Sequence, residues 1–195
     1  MTPQETARQA AAIQWKMPVA QVYEQEISSN FPWCRKHRVF LVLNQNRAAL
    51  VVVVEDEGQA MVFSGTDVLT KLNRLIQEEG IHLPGALSPM QIAEMTRRFL
   101  AGTGGFVGSS AFWHEQQDAL SMWTSPSPKE GPKLFRDYCR DPIMKQENGT
   151  WRLNFYYFNN RGGVDEWNIA GDTSQIKSAQ PHQVVPQGTF LFPYG

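Results

Sequence analysis

The sequence predicts an α+β protein: an antiparallel β-meander covered by helices in the N-terminal half, then a helix plus antiparallel sheet, cystatin-like in shape, in the C-terminal half. Three observations carry this. Between residues 38 and 63, three β-rich runs, "RVFLVL", "ALVVVV" and "QAMVF", are separated by the short polar reversals "NQNR" and "EDEG". Two later stretches, over residues 66–80 and 88–100, repeat apolar residues at helical spacing. Beyond Pro142 the chain alternates apolar and polar residues in segments of strand length.

In chain order, Thr2-Pro3-Gln4-Glu5 forms a capping box with proline at the first helical position, so a helix is expected to run to about Trp15. Pro18 bends or restarts it. Val19, Val22, Tyr23 and Ile27 have helical spacing and predict a second amphipathic helix that ends within residues 28–32. In the meander, the unbroken apolar character of "ALVVVV" marks a central strand covered on both faces.

The covering helices follow. Val68, Leu69, Leu72, Leu75 and Ile76 make one stripe, stopped by Gly80. Ser88-Pro89-Met90-Gln91 opens another, with Ile92, Met95, Thr96, Phe99 and Leu100 on its apolar face. Over residues 106–123, "FVGSSAFW" and "DALSMW" around "HEQQ" are read as a hairpin, with a loop and a helix as the alternative. "TSPSPKEGP", residues 124–132, is rich in proline, serine and glycine and is the expected internal boundary. It separates residues 1–124 from residues 125–195, as two units or as parts of one packed domain.

After that boundary, Leu134, Phe135, Tyr138 and Cys139 share one face of a helix ended by Pro142. "IMKQE", "TWRLNFYYF", "VDEWNIA", "QIKSAQ" and "GTFLF" read as strands. Asn148-Gly149 joins the first two as a hairpin turn, because both central residues of a type I′ turn need positive φ.

Composition narrows the functional classes. Eighteen basic and nineteen acidic side chains leave a formal charge of −1, so no global field draws in nucleic acid or anionic lipid. The two cysteines, Cys34 and Cys139, are far apart and form no CxxC pair, which suits free thiols in a reducing compartment. The first residues lack a signal-peptide core, and the longest apolar run, residues 48–54, is too short to span a bilayer. A cytoplasmic location is therefore expected, with no membrane association.

Several chemical patterns stand beside plainer explanations. Gly102, Gly105 and Gly108 in "GTGGFVG" have a spacing that looks like the GxxGxxG nucleotide loop of extended short-chain dehydrogenases. Here the loop follows a helix rather than a strand, and no βαβ unit comes after it, so a flexible helix-to-strand connection is the preferred reading and no cofactor is expected. "PWCRKHR", residues 32–38, places a thiol near cations that favour thiolate, but Cys34 and His37 supply at most two metal ligands. No metal role is assigned. His82, His114 and His182 are isolated, and "HEQQD" lacks the second histidine of an HExxH helix. The sequon Asn148-Gly149-Thr150 carries little weight without an export signal.

The pattern that survives is "TWRLNFYYFNNRGGVDEWNI", residues 150–169. Alternation places Trp151, Leu153, Phe155 and Tyr157 on one face, which is the core, and Arg152, Asn154, Tyr156 and Phe158 on the other. Tyr156 and Phe158, with Arg161 in the turn and Asp165 and Trp167 beyond it, are the candidate binding residues, since aromatics with one wet edge suit partly apolar contacts. The plainer reading covers this second face with the helix from Lys133. The expected function is a non-catalytic binding or interaction module, of the regulatory or assembly kind, whose partner is another protein or a second copy of the chain. The alternative is a small-molecule carrier or an enzyme with a pocket in a curved C-terminal sheet, using Asp165, Glu166 or His182. Nucleic acid is not an expected partner, because the residues do not match the RNP1 consensus.

Overall fold

A computed structural model describes residues 1–46, 48–55, 58–102, 104–116 and 131–190. The fold is α+β, with two antiparallel sheets among the described residues. Contacts divide the chain into two compact units, Met1–His82 with Arg98–Thr103, and Leu83–Arg97 with Gly104–Gly195. The boundary expected between residues 124 and 125 lies outside the described residues. No helix among them is long and apolar enough to cross a membrane.

The first unit opens with α1 (Pro3–Trp15), held by the Thr2 and Glu5 capping box. A meander follows, β1 (Val22–Glu26), β2 (His37–Asn44), β3 (Ala49–Glu55) and β4 (Ala60–Phe63), paired in that order. Ala7, Ala11 and Ala12 of α1 pack on Val22, Phe40, Val42, Val52 and Val54. Alanine lets the helix lie close to the branched strand residues, and the burial drives association. Val51 to Val54 are all buried, so β3 is covered on both faces. Next comes α2 (Val68–Glu78), with Leu72, Leu75 and Ile76 buried. Phe99 sets its ring against Phe31 and Phe63, at centroid distances of 5.3 and 4.5 Å.

The expected second helix over residues 19–27 is a correction. Those residues form a 3₁₀ turn (Val19–Gln21) and β1, in which Val22 to Glu26 pair with Asn44 to Phe40. The edge of β2 satisfies a row of backbone groups in this way, and that tertiary gain overrides a short helical spacing built on β-branched residues.

In the second unit, α3 (Pro89–Thr96) is opened by the Ser88 and Gln91 capping box, and a π-helical turn (Arg97–Ala101) follows it in the chain. Glu94 of α3 accepts bonds from the Arg97 guanidinium and the Val107 N–H. Then come β5 (Phe106–Val107), α4 (Ser110–Gln116), α5 (Gly131–Tyr138), β6 (Ile143–Glu147), β7 (Thr150–Phe158), β8 (Val164–Asp172) and β9 (Ile176–Val185). The strand order is β5-β7-β8-β9, and β6 pairs with the other end of the β7 edge that β5 uses. Asn148 and Gly149 have φ of 48° and 76°, and Glu147 pairs with Thr150, which is the two-residue hairpin that the Asn-Gly pair predicts.

The hairpin expected over residues 106–123 is a second correction. Among its described residues, Phe106 and Val107 are strand, while residues 110–116 are helix, because the Ser109 hydroxyl caps the Phe112 N–H and Asp141 accepts from both Ser110 groups. "DALSMW" lies outside the described residues. Of the expected final strand, Phe190 makes a single bridge, and residues 191–195 lie outside the described part.

Candidate functional site

The β7–β8 pairing decides which side chains meet. Its register places Trp167 opposite Phe155, Glu166 opposite Tyr156, Asp165 opposite Tyr157, and Asn168 opposite Asn154. One face therefore carries Trp151, Leu153, Phe155, Tyr157, Trp167 and Ile169, all buried. The other carries Arg152, Asn154, Tyr156, Phe158 and Glu166.

That second face is closed at one end and open at the other. At the closed end Phe158 is fully buried, its ring stacked on Phe106 at 4.9 Å and tilted against Phe135 of α5 at 4.8 Å. Phe135, Cys139, Val164, Val185 and Phe190 complete this cluster. Tyr156 sits at the border. Tyr138 meets its ring edge-on at 5.0 Å, the Arg140 guanidinium lies 5.0 Å over it, and its hydroxyl stands 3.4 Å from Glu166 Oε1. Burial raises the Tyr156 pKa, the Glu166 charge adds to this, and Arg140 opposes it.

Beyond Tyr156 the face is open. Asn154 Nδ2 donates to Glu166 Oε1 at 2.8 Å and to Asn168 Oδ1 at 3.1 Å. Lys145 pairs with Arg152, Ile143 with Asn154, Gln180 with Asn168 and Ser178 with Ala170, so four strands contribute to one surface. These residues line a shallow groove of about 470 Å³, and Ile143 is 55% exposed at its rim.

The five residues expected to bind do not converge. Phe158 is core. Trp167 is also buried, on the opposite face, stacked with Phe155 at 6.1 Å. Asp165 is on that opposite face too and accepts from Asn159 Nδ2 at 3.0 Å. Arg161 is exposed in the turn, where its N–H bonds Asn159 Oδ1 and its carbonyl accepts from Gly188. Only Tyr156 borders the open half. The residues that reasoning from sequence passed over are Lys145, Arg152, Asn154, Asn168 and Gln180. Their signal was the polar half of the alternation in each strand, but it became a site only through the registers.

The other patterns resolve individually. A Cβ on Gly105, whose φ is +88°, would stand 2.1 Å from the Phe158 carbonyl oxygen and 2.8 Å from the Tyr157 ring, so this glycine permits close packing of the loop on β7. The Tyr157 hydroxyl donates to the Gly104 carbonyl. His82 and His114 are exposed, as is His182, which pairs across the strands with Glu166.

Cys34 is buried, and its thiol lies 3.5 Å from Glu79 Oε1 and 3.6 Å from the His37 carbonyl. Burial first, and then the Glu79 charge, push its pKa well above the usual thiol range. This is the reverse of the thiolate that the nearby cations suggested. Arg35 and Lys36 give their backbone N–H groups to Glu79, not their charges to the sulfur. Cys139 is likewise buried, donates to the Ser109 carbonyl at 3.1 Å, and has its pKa raised by burial to about 11.

No protein-family model, curated protein or solved structure matches the chain.

Proposed function

We propose that this chain is a non-catalytic binding or interaction module, of the regulatory or assembly kind and resident in the cytoplasm, whose contact surface is the open half of the five-stranded sheet. The observation that carries this is the convergence of Lys145, Arg152, Asn154, Asn168 and Gln180 from four strands on one groove, with the exposed Ile143 at its rim. An exposed apolar side chain at the rim, with amides and two cations beside it, matches the mixed make-up of a protein contact surface, and it favours a partner that presents carboxylates. A protein partner fits best, and a second copy of the chain is the other occupant. The cystatin-like shape belongs to the same proposal, with α5 laid against an antiparallel sheet that follows it in sequence.

The carrier or enzyme reading has less support. Among the described residues, the space under α5 is filled by Phe135, Phe158 and Phe190.

The test is the double variant Lys145→Glu/Arg152→Glu, since both side chains are exposed. Native mass spectrometry of gently purified protein is expected to show a bound protein or a homo-oligomer for the natural chain and a bare monomer for the variant, with equal melting temperatures. Retained assembly in the folded variant would overturn the proposal, as would a small molecule retained by both forms.

A further inference from the structure

His37 opens β2 with a side chain only 4% exposed, and both of its ring nitrogens face carboxylates. Nδ1 stands 2.6 Å from Glu79 Oε1. Glu79 is held in place by the backbone N–H groups of Arg35 at 2.7 Å and Lys36 at 3.0 Å. Its Oε2 accepts from Arg35 and Lys36, and its Oε1 accepts from Lys36. Both Glu79 oxygens are thus held as acceptors, so Nδ1 is the donor in this contact.

Nε2 has a different setting. It makes no hydrogen bond among the described residues, and its closest acidic oxygens are Glu78 Oε2 at 3.3 Å and Glu55 Oε1 at 3.8 Å. Glu78 Oε2 is itself buried without a hydrogen-bond partner among the described residues. The two carboxylates arrive from separate elements. Glu55 ends β3 directly opposite His37 in the strand register, and Glu78 is the last residue of α2.

We propose that His37 Nε2, Glu55 and Glu78 form a binding site for a divalent transition cation, best suited to Zn²⁺, with Glu79 as the positioning residue that orients the imidazole. A carboxylate on Nδ1 directs the Nε2 lone pair outward, which is how metal-bound histidines are commonly held. A buried lone pair facing two carboxylate oxygens, the nearer of them itself buried, is repulsive unless positive charge lies between them. Tetrahedral zinc with bonds of 2.0–2.1 Å sets its ligand atoms about 3.3 Å apart, which matches the Nε2 to Glu78 Oε2 separation. Glu55 is partly exposed and closes the remaining gap by turning its side chain.

The donor set selects among cations. One imidazole and two carboxylates suit zinc or manganese better than calcium or magnesium, which prefer oxygen alone, or copper(I), which prefers sulfur. The Cys34 sulfur contacts Glu79 and the His37 carbonyl on the Nδ1 side of the ring, so it lies outside this set. Arg74 is the competing cation, with Nε 2.6 Å from Glu78 Oε1 and Nη2 3.4 Å from Glu55 Oε1. It is 59% exposed and engages the oxygen of Glu78 that the site does not use. Lys36 Nζ bonds the Glu78 carbonyl rather than its carboxylate. The rival occupant is a second proton on His37, donated towards Glu78.

The experiment is calorimetric titration of the chelator-treated full chain with ZnCl₂, beside the variants Glu55→Gln/Glu78→Gln and Glu79→Gln. The natural chain is expected to bind one Zn²⁺ and to melt at a higher temperature when loaded. The double variant should lose affinity at least tenfold, and Glu79→Gln should lose roughly 10- to 100-fold as an orienting group. Unchanged circular dichroism without metal would show that each variant folds. With Co²⁺ as probe, a spectrum of tetrahedral nitrogen and oxygen ligands is expected. Absence of zinc binding by the natural chain would overturn the proposal and leave the second proton as occupant. So would undiminished binding by the folded double variant, or a thiolate charge-transfer band, which would put the ion on Cys34.

Discussion

Asn154 and Glu166 face each other diagonally across the β7–β8 pair, with Asn154 Nδ2 2.8 Å from Glu166 Oε1, and Tyr156 brings its hydroxyl to the same oxygen at 3.4 Å. One carboxylate oxygen thus joins the covered half of the sheet face to the open half. Replacing Glu166 by alanine removes the acceptor of both donors. The expected cost is about 1–2 kcal/mol, because both donors are only partly buried and water replaces part of the loss. Urea unfolding of the natural chain and Glu166→Ala checks it, and a loss below the measurement error would show that the link is idle.

Phe135 holds the covered half closed. It is fully buried and touches the rings of Phe106, Phe112, Phe158 and Phe190. Phe135→Ala should destabilise the chain by about 3–5 kcal/mol, the range for truncating a buried aromatic. Phe135→Leu should recover more than half of that loss.

The glycine loop allows a paired comparison. At Gly102, with φ of +94°, nothing lies within 4 Å of an added Cβ, so Gly102→Ala carries only backbone strain, on the order of 1–3 kcal/mol. At Gly105 the same strain is joined by the clash with the Phe158 carbonyl. Gly105→Ala should therefore unfold at clearly lower denaturant than Gly102→Ala. Equal midpoints would mean that the loop does not pack on β7.

Asp172 carries an acid dependence. Its pKa is lowered first by the Ser174 backbone N–H, then by the Ser174 hydroxyl and Lys177. A carboxyl whose folded pKa is depressed contributes stability that is present above its unfolded value, about 3.9, and is lost as pH falls towards the folded value. Asp172→Asn should thus lower the unfolding midpoint at neutral pH, and the gap from the natural chain should narrow as the pH drops below about 4. A gap independent of pH would show that the charge plays no part.

Both thiols should resist alkylation in the folded chain. Each is buried with its pKa raised by that burial, so iodoacetamide at mildly alkaline pH should label neither cysteine until urea unfolds the protein. Rapid native labelling at Cys34 would contradict its burial.

Local chemistry was legible wherever a few neighbouring residues settle the outcome. The capping boxes at Thr2–Glu5 and Ser88–Gln91 close their own backbone bonds, and Asn148-Gly149 supplies the two positive φ angles of its turn. The run Val51–Val54 could only be a strand covered on both sides, because no solvent-facing polar position interrupts it. Residues 22–26 resisted this approach. Their helical spacing is real, but the open edge of β2, some fifteen residues away, set the competing bonds.

The sequence by itself determined the α+β class, most of the strands and the core face of β7, since alternation and propensity act over neighbouring residues. The tertiary structure decided which side chains meet. The Asn159–Gly163 turn and its register place Asn154 beside Asn168 and send Trp167 to the opposite face, and a slip of one residue would have reversed that choice. The meander likewise sets Glu55 opposite His37, and the end of α2 delivers Glu78 and Glu79 to the two sides of one imidazole. These residues are separated by roughly twenty to forty positions along the chain, so packing of whole elements, rather than any motif, brings them within bonding distance.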